Sequence, residues 1–191
     1  MNNLLESIGE ALGQIDQLAP QNGNFLPGIG PVREPQLVSK IKDYFNEHFN
    51  EQYPNARTQI LPDFIIPDMW AIEFKIVRPF GNDGNAAEHW SSRLLHPYPG
   101  NTSSIGDIYR LTNLDLKIRK GIVVVSYEHQ PAQVSLEPLL SAFELIARDV
   151  CGFHLSNRYQ VIIPNLIHPI HQTAKVYGWE ILDQHSGKHI S

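Results

Sequence analysis

Residues 61–66 read LPDFII and residues 70–75 read WAIEFK, and these two short apolar runs decide how the chain is interpreted. In the second run a large apolar residue occupies every other position, and successive side chains of a strand point to opposite faces. Glu73 and Lys75 are therefore predicted to be neighbours on one face of a strand. If the two runs pair as a hairpin, Asp63 lies near the same face. Two carboxylates and one ammonium group would then meet, a set that can hold Mg²⁺ through oxygen atoms and offer a cation to a water molecule.

A Pro-Asp pair followed by Glu-x-Lys resembles the motif of the PD-(D/E)xK nuclease superfamily, which includes many type II restriction endonucleases and nucleases of recombination and repair. Asp63, Glu73 and Lys75 match that motif residue by residue. The resemblance implies that Asp63 and Glu73 bind the metal, with the main-chain carbonyl of Phe74 as a further ligand. It also implies that Lys75 holds the attacking water or the transition-state phosphate. The same residues fit a second interpretation, a solvent-facing hairpin whose ion pairs contribute little to stability.

Three further acidic residues have to be assigned either to the site or to a structural role. Many members of the superfamily place a glutamate on the helix before the first strand, and Glu34 lies at the start of such a predicted helix. An acid there also complements the positive end of the helix macrodipole, so both interpretations remain open. Asp68 follows a proline, as Asp63 does, but it lies in the expected turn only five positions before Glu73, so Asp63 is preferred. Asp107 is interpreted as a helix residue and not as a ligand.

The composition of the 191 residues, 42% hydrophobic and 18% charged, is typical of a globular protein with a core and argues against disorder. No apolar run approaches the roughly 20 residues of a membrane-spanning helix, and the N-terminus lacks the features of a secretory signal. The single cysteine, Cys151, cannot form an internal disulfide and fits a reducing cytoplasm. The net charge of −5 counts only mildly against a nucleic-acid partner, because a nuclease concentrates acids at its own site. The densest basic region is formed by Arg110, Lys117, Arg119 and Lys120.

Hydrophobic periodicity predicts an alternation of helices and strands. The predicted helices are 3–19, 33–50, 86–95, 104–111 and 135–151, and the predicted strands are 57–61, the segment around Asp63, 70–77, 118–127, 159–163 and 175–182. The run Ile122–Val125 is typical of a strand buried on both faces, and the last strand is expected at an edge of the sheet. From residue 33 onward this order matches the α-β-β-β-α-β core of the restriction-endonuclease-like fold. The predicted fold class is therefore α/β (α+β), with a central mixed β-sheet flanked by helices and an extra N-terminal helix.

The chain is divided into two parts. Residues 1–32 are predicted to be an N-terminal helix with a connector rich in proline and glycine, and residues 33–191 a nuclease-like catalytic domain. The N-terminal helix is amphipathic, which fits either packing on its own domain or a contact between two subunits.

The resemblance thus implies a Mg²⁺-dependent DNA endonuclease, a metal-dependent phosphodiesterase in which Mn²⁺ can replace Mg²⁺. Within this class we expect a type II restriction enzyme that acts in the cytoplasm as a homodimer on double-stranded DNA, with no membrane partner. Two alternatives remain open. One is a nuclease that recognises DNA structure in repair or recombination, and the other is a non-catalytic binding or assembly module with the same fold.

Overall fold

The computed structural model describes residues 1–19, 27–97 and 102–182, which form a seven-stranded mixed sheet with helices on both faces. This confirms the predicted mixed α/β class with a central sheet flanked by helices. Parts of the predicted connector and of the loop after residue 95, and residues 183–191, lie outside the described residues. Within the described ranges, no helix has the length and apolar character needed to cross a membrane.

The elements follow one another in a simple order. The helices are α1 (Asn2–Leu18), α2 (Glu34–His48), α3 (Ser92–Leu95), α4 (Ser104–Thr112) and α5 (Glu137–Leu145), which continues into a π-helical turn at Ile146–Val150. The strands are β1 (Arg57–Thr58), β2 (Phe64–Ile66), β3 (Trp70–Val77), β4 (Arg119–Glu128), β5 (His154–Leu155), β6 (Tyr159–Ile163) and β7 (Thr173–Leu182). The strand order is β1-β2-β3-β4-β7-β5, and β6 also pairs with β7. The β3–β4 pair is parallel and the other described pairs are antiparallel.

Two hydrophobic layers enclose the sheet, and they fix where the side chains of β3 point. Ile72 and Phe74 pack in the layer that contains α1 and α2. Ala71 and Val77 pack in the opposite layer, with α3, α4 and α5. Because strand side chains alternate between faces, the intervening Glu73 and Lys75 must point into the second layer, towards α4.

The central strand β4 agrees with its sequence. All four residues of Ile122–Val125 are fully buried, two in each hydrophobic layer. Such a run needs helices on both faces, because no face of it tolerates water. The prediction of a strand buried on both sides is confirmed.

The predicted helix at 86–95 is wrong over most of its length. Only Ser92–Leu95 is helical, since Ala86 forms a bridge with Phe80 and His89 has a φ of 56°. A residue in the left-handed region interrupts a right-handed helix. The predicted helix at 135–151 begins later, at Glu137, with a proline in its first turn, and its last part widens into the π-helical turn.

The prediction that the last strand lies at an edge is also wrong. β7 has β4 on one side and β5 and β6 on the other, and Trp179 within it is fully buried. Its charged residues form ion pairs: Lys175 lies 2.9 Å from the buried Glu128, and Glu180 lies 2.6 Å from Arg119, whose side chain is half exposed. Ion pairing therefore allows polar residues in a strand with neighbours on both sides.

Helix α1 packs on β6, β7 and α2, and its apolar residues belong to the same cluster as those of α2 and the sheet. Leu5, Ile8 and Leu12 are fully buried. Packing within the chain accounts for the amphipathic pattern of this helix. Two glycines, Gly9 and Gly13, face β6 and set how closely the helix approaches the strand.

These two glycines provide a matched test of that packing. A methyl group at Gly9 would lie 2.7 Å from Cγ1 of Val161, whereas at Gly13 the nearest atom is 3.5 Å away on Ile163. Valine cannot easily rotate its branch away, so we expect Gly9→Ala to lower the free energy of unfolding by about 1–2 kcal/mol. Gly13→Ala should raise it by up to about 1 kcal/mol, because alanine favours a helix interior. Urea unfolding measures both, and a Gly9→Ala protein as stable as Gly13→Ala would contradict the packing described.

Candidate active site

The site forms where one edge of β3 loses its partner strand. β2 pairs with β3 through three residue pairs, and Phe64, its first residue, lies opposite Ile72. β3 continues to Val77, and among the described residues no strand pairs with this last part on the side facing β2. Backbone N–H groups on that edge still need acceptors.

Two carboxylates provide those acceptors. The N–H of Phe74 donates to Oδ2 of Asp63 at 2.9 Å, and the N–H of Ile76 donates to Oε2 of Glu34 at 2.8 Å. Asp63 immediately precedes β2, and Glu34 is the first residue of α2. The residue before β2 and the first residue of α2 therefore bring two acids to one edge of β3.

The main-chain carbonyl of Phe74 lies on the same edge. In a strand the N–H and C=O groups of one residue point in the same direction, as the doubly bonded pairs of antiparallel sheets require. Because the N–H of Phe74 points to Asp63, the carbonyl of Phe74 points to the same open side. The predicted ligand set of Asp63, Glu73 and the Phe74 carbonyl is thus gathered around one short segment.

Glu73 occupies the face of β3 that α4 covers, and only 2% of it is exposed. Its Oε1 atom is buried and has no hydrogen-bond partner. Burial, together with the nearby carboxylates of Asp63 and Asp107, raises the pKa of Glu73 to about 9. The surroundings of Glu73 therefore disfavour its ionised form, and a cation bound next to it would favour that form.

Lys75 is enclosed by acids. Its Nζ atom lies 3.1 Å from Oδ2 of Asp107 and 3.6 Å from Oε1 of Glu34, and 5% of the residue is exposed. A buried ammonium group needs such partners, because removing it from water is costly. Glu34 thus contacts both the backbone and the lysine of β3, which goes beyond complementing a helix dipole.

Helix α4 contributes a carboxylate, Asp107, and a cation, Arg110, one turn apart. The side chain of Ser103 caps the helix by accepting the N–H of Gly106 at 3.1 Å. Asp107 is fully buried and forms an ion pair with the guanidinium of Arg110, whose Nη2 atom also lies 3.8 Å from Oε2 of Glu73.

Burial raises the pKa of Asp107 to about 6, although Lys75 and Arg110 act in the opposite direction. Acidic and basic side chains therefore alternate across the site, in the order Glu34, Lys75, Asp107, Arg110, Glu73.

The structure separates the two competing aspartates. Asp68 is exposed in the turn between β2 and β3, with a φ of 61°, at the far end of the hairpin from Asp63. Asp107 and Arg110 lie in the site, although the sequence interpretation assigned neither to it. A signal was present: Asp107 lies three residues after Ser104 and four before Leu111, on the stripe of α4 that is buried. A carboxylate on a buried helical stripe requires a partner.

The donor atoms fit a hard divalent cation. Among the described residues, no three or more His, Cys, Asp and Glu side chains are grouped as a metal site. Mg²⁺ needs fewer, since it keeps several waters and binds through one or two carboxylates. Asp63 and Glu73 with the Phe74 carbonyl meet that need, and the unpartnered Oε1 of Glu73 is a buried acceptor that a cation would satisfy.

Comparisons with models of known protein families, with curated proteins and with solved structures find no match. The assignment of this site therefore depends on its own contacts. Its carboxylates are Glu34, Asp63, Glu73 and Asp107, and its cations are Lys75 and Arg110. Their net charge is −2 with every acid ionised and −1 with Glu73 neutral, and either value favours a cation over an anion as the first ligand.

The buried ion pair allows a direct test of this arrangement. Lys75→Met leaves Asp107 and Glu34 without their shared cation, so we expect the free energy of unfolding to fall by about 3–5 kcal/mol. Asp107→Asn should also destabilise the protein. The double variant should lose less than the sum of the two single losses, with a coupling of about 1–3 kcal/mol. Urea unfolding of the four proteins measures the coupling, and strictly additive losses would contradict the contact.

Proposed function

We propose that this protein is a Mg²⁺-dependent DNA endonuclease with a restriction-endonuclease-like core. The observation that carries the proposal is that Asp63 binds the backbone of β3 and lies beside Glu73, while Lys75 is buried on the same face of β3 as Glu73. These residues come from two segments that the sequence pattern joins in one motif. A solvent-facing hairpin, the competing interpretation, does not account for a glutamate and a lysine that are both buried.

The order of elements supports the same proposal. From α2 the chain runs through β1, β2 and β3 to α4 and then to β4, with the short α3 before α4. This order agrees with the α-β-β-β-α-β core that the resemblance implies, with α1 as an addition at the N-terminus. The parallel pairing of β3 with β4 requires a crossover, and α3 and α4 lie in it.

Each residue has a role in phosphodiester hydrolysis. Asp63, Glu73 and the Phe74 carbonyl would hold Mg²⁺ or Mn²⁺, which when bound activates a water and neutralises charge on the phosphate. Lys75 donates hydrogen bonds to the attacking water from a position fixed by Asp107 and Glu34. Glu34 also holds the backbone of β3 through Ile76, which keeps the motif residues in register.

Within nucleases, we propose a type II restriction enzyme that works in the cytoplasm as a homodimer. One site cuts one strand, so cutting both strands of duplex DNA calls for two sites. A twofold-symmetric dimer provides two sites and matches a palindromic sequence.

A pair of charge-neutralising variants tests the proposal. Asp63→Asn keeps an oxygen that can accept the N–H of Phe74, so the fold should survive, but a metal-binding charge is lost. We expect cleavage of large genomic and plasmid DNAs in Mg²⁺ to fall by at least about 10³-fold. Asp68→Asn removes the same charge from the exposed turn, where asparagine tolerates a positive φ, and should leave cleavage unchanged. Gel assays measure both, and EDTA should abolish the activity of the wild type.

The outcomes separate the alternatives. Equal activity of Asp63→Asn and the wild type would contradict the site assignment. Cleavage confined to branched or single-stranded DNA would favour a repair or recombination nuclease. A folded wild type that cuts no DNA in Mg²⁺ or Mn²⁺ would favour a non-catalytic module.

A further inference from the structure

We infer that Arg110, held in place by Asp107, is the residue that binds the scissile phosphate. This inference rests on the proposed nuclease function and adds a catalytic residue and a positioning residue to it. Both lie on α4, outside the sequence motif. Lys75 then serves the attacking water and not the phosphate.

Accessibility distinguishes the two cations of the site. The side chain of Lys75 is 7% exposed, and acids stand on both sides of its ammonium group. The side chain of Arg110 is 31% exposed. Part of the Arg110 side chain is therefore open to solvent, whereas almost none of Lys75 is.

The position of Arg110 fits this role. Its Nη2 atom lies 3.8 Å from Oε2 of Glu73, a carboxylate proposed to hold the metal. The guanidinium therefore stands beside a carboxylate that would hold the metal. Arginine suits such a site, because its planar fork matches the oxygens of a phosphate better than the point charge of a lysine.

Asp107 positions the arginine. It is fully buried, so the surrounding side chains restrict the movement of its carboxylate. That carboxylate forms ion pairs with both Arg110 and Lys75. One buried acid thus fixes both cations relative to Glu73. Preorganised charge of this kind stabilises a transition state more than mobile charge does, because no reorganisation is needed during the reaction.

The charge of the site gives a further reason for the arginine. With all four carboxylates ionised, as a bound cation would favour, the site has a formal charge of −2, and one Mg²⁺ would bring it to zero. Without Arg110 the loaded site would again be negative, and it would repel the phosphate. Arg110 therefore favours an anionic substrate even when a single metal is bound.

The competing explanation is structural, because Arg110 could act only by neutralising Asp107 and Glu73. Substrate chemistry separates the two. A duplex containing a sequence that the wild type cuts is prepared with a methylphosphonate at the scissile position, which replaces one charged oxygen by a methyl group. The contact between Arg110 and the phosphate is then absent in at least one stereoisomer, whatever the protein.

The experiment compares single-turnover rates at saturating DNA for the wild type, Arg110→Gln and Arg110→Lys. On the normal duplex we expect Arg110→Gln to be slower by about 10²-fold. Arg110→Lys keeps the charge beside Asp107 and should therefore fold, yet it should also be slower, by about 10-fold. On one methylphosphonate isomer the rates of all three proteins should converge. Arg148→Gln removes an arginine from an exposed ion pair with Asp149 and should match the wild type on every substrate.

Three results would overturn the inference. Variants as fast as the wild type would show that Arg110 takes no part in catalysis. Variants slower by the same factor on the normal duplex and on both methylphosphonate isomers would show that its role is structural. A wild type that cuts no DNA would overturn the proposed function itself, and the inference with it.

Discussion

The site depends on one unpaired edge of backbone. β2 is three residues long and β3 is eight, so the N–H groups of Phe74 and Ile76 lack a strand to accept them. Buried N–H groups in folded proteins are nearly always satisfied. Here the acceptors are the carboxylates of Asp63 and Glu34, one from the start of β2 and one from the start of α2. The contacts that complete the sheet are therefore the same contacts that gather acids around β3.

The acids at this edge of β3 need nearby cations, and Lys75 and Arg110, both paired with Asp107, meet that need. Glu73 is buried beside Asp63, Arg110 lies 3.8 Å from Glu73, and Lys75 lies 3.6 Å from Glu34. Asp107 lies between the two cations and keeps them apart. Buried ion pairs of this kind contribute little net stability, because desolvation offsets most of their attraction. So many ionisable groups in a site that packing alone would fill with apolar side chains support the proposed function.

The sequence predicted those features that depend on local periodicity. The alternation in WAIEFK predicted β3 and placed Glu73 and Lys75 on one face, and the run Ile122–Val125 predicted the buried strand β4. The sequence did not predict which elements distant along the chain lie next to each other. β7 was expected at an edge because period and composition describe the faces of a strand and not its neighbours. Asp107 and Arg110 were missed for a similar reason, since only tertiary packing brings α4 against β3.

The positions of the predicted metal ligands could be predicted only in part from the sequence. The choice of Asp63 over Asp68 followed from the length of the hairpin, and the structure places Asp63 against Phe74 and Asp68 in the exposed turn. Glu34 could be interpreted in two ways from sequence, because its contact with Ile76 joins residues 42 positions apart. Contacts over such distances leave no trace in the periodicity of either segment.

The central claim is that Asp63 and Glu73 form a cation site, and calorimetric titration with Mg²⁺ and Mn²⁺ tests it most directly. Glu73→Gln is a suitable comparison, because burial already favours the neutral form of Glu73 and glutamine has nearly the same shape. The account predicts saturable binding of the metal by the wild type and at least about 10-fold weaker binding by Glu73→Gln. Equal affinity of the two proteins, or no binding by the folded wild type, would contradict it.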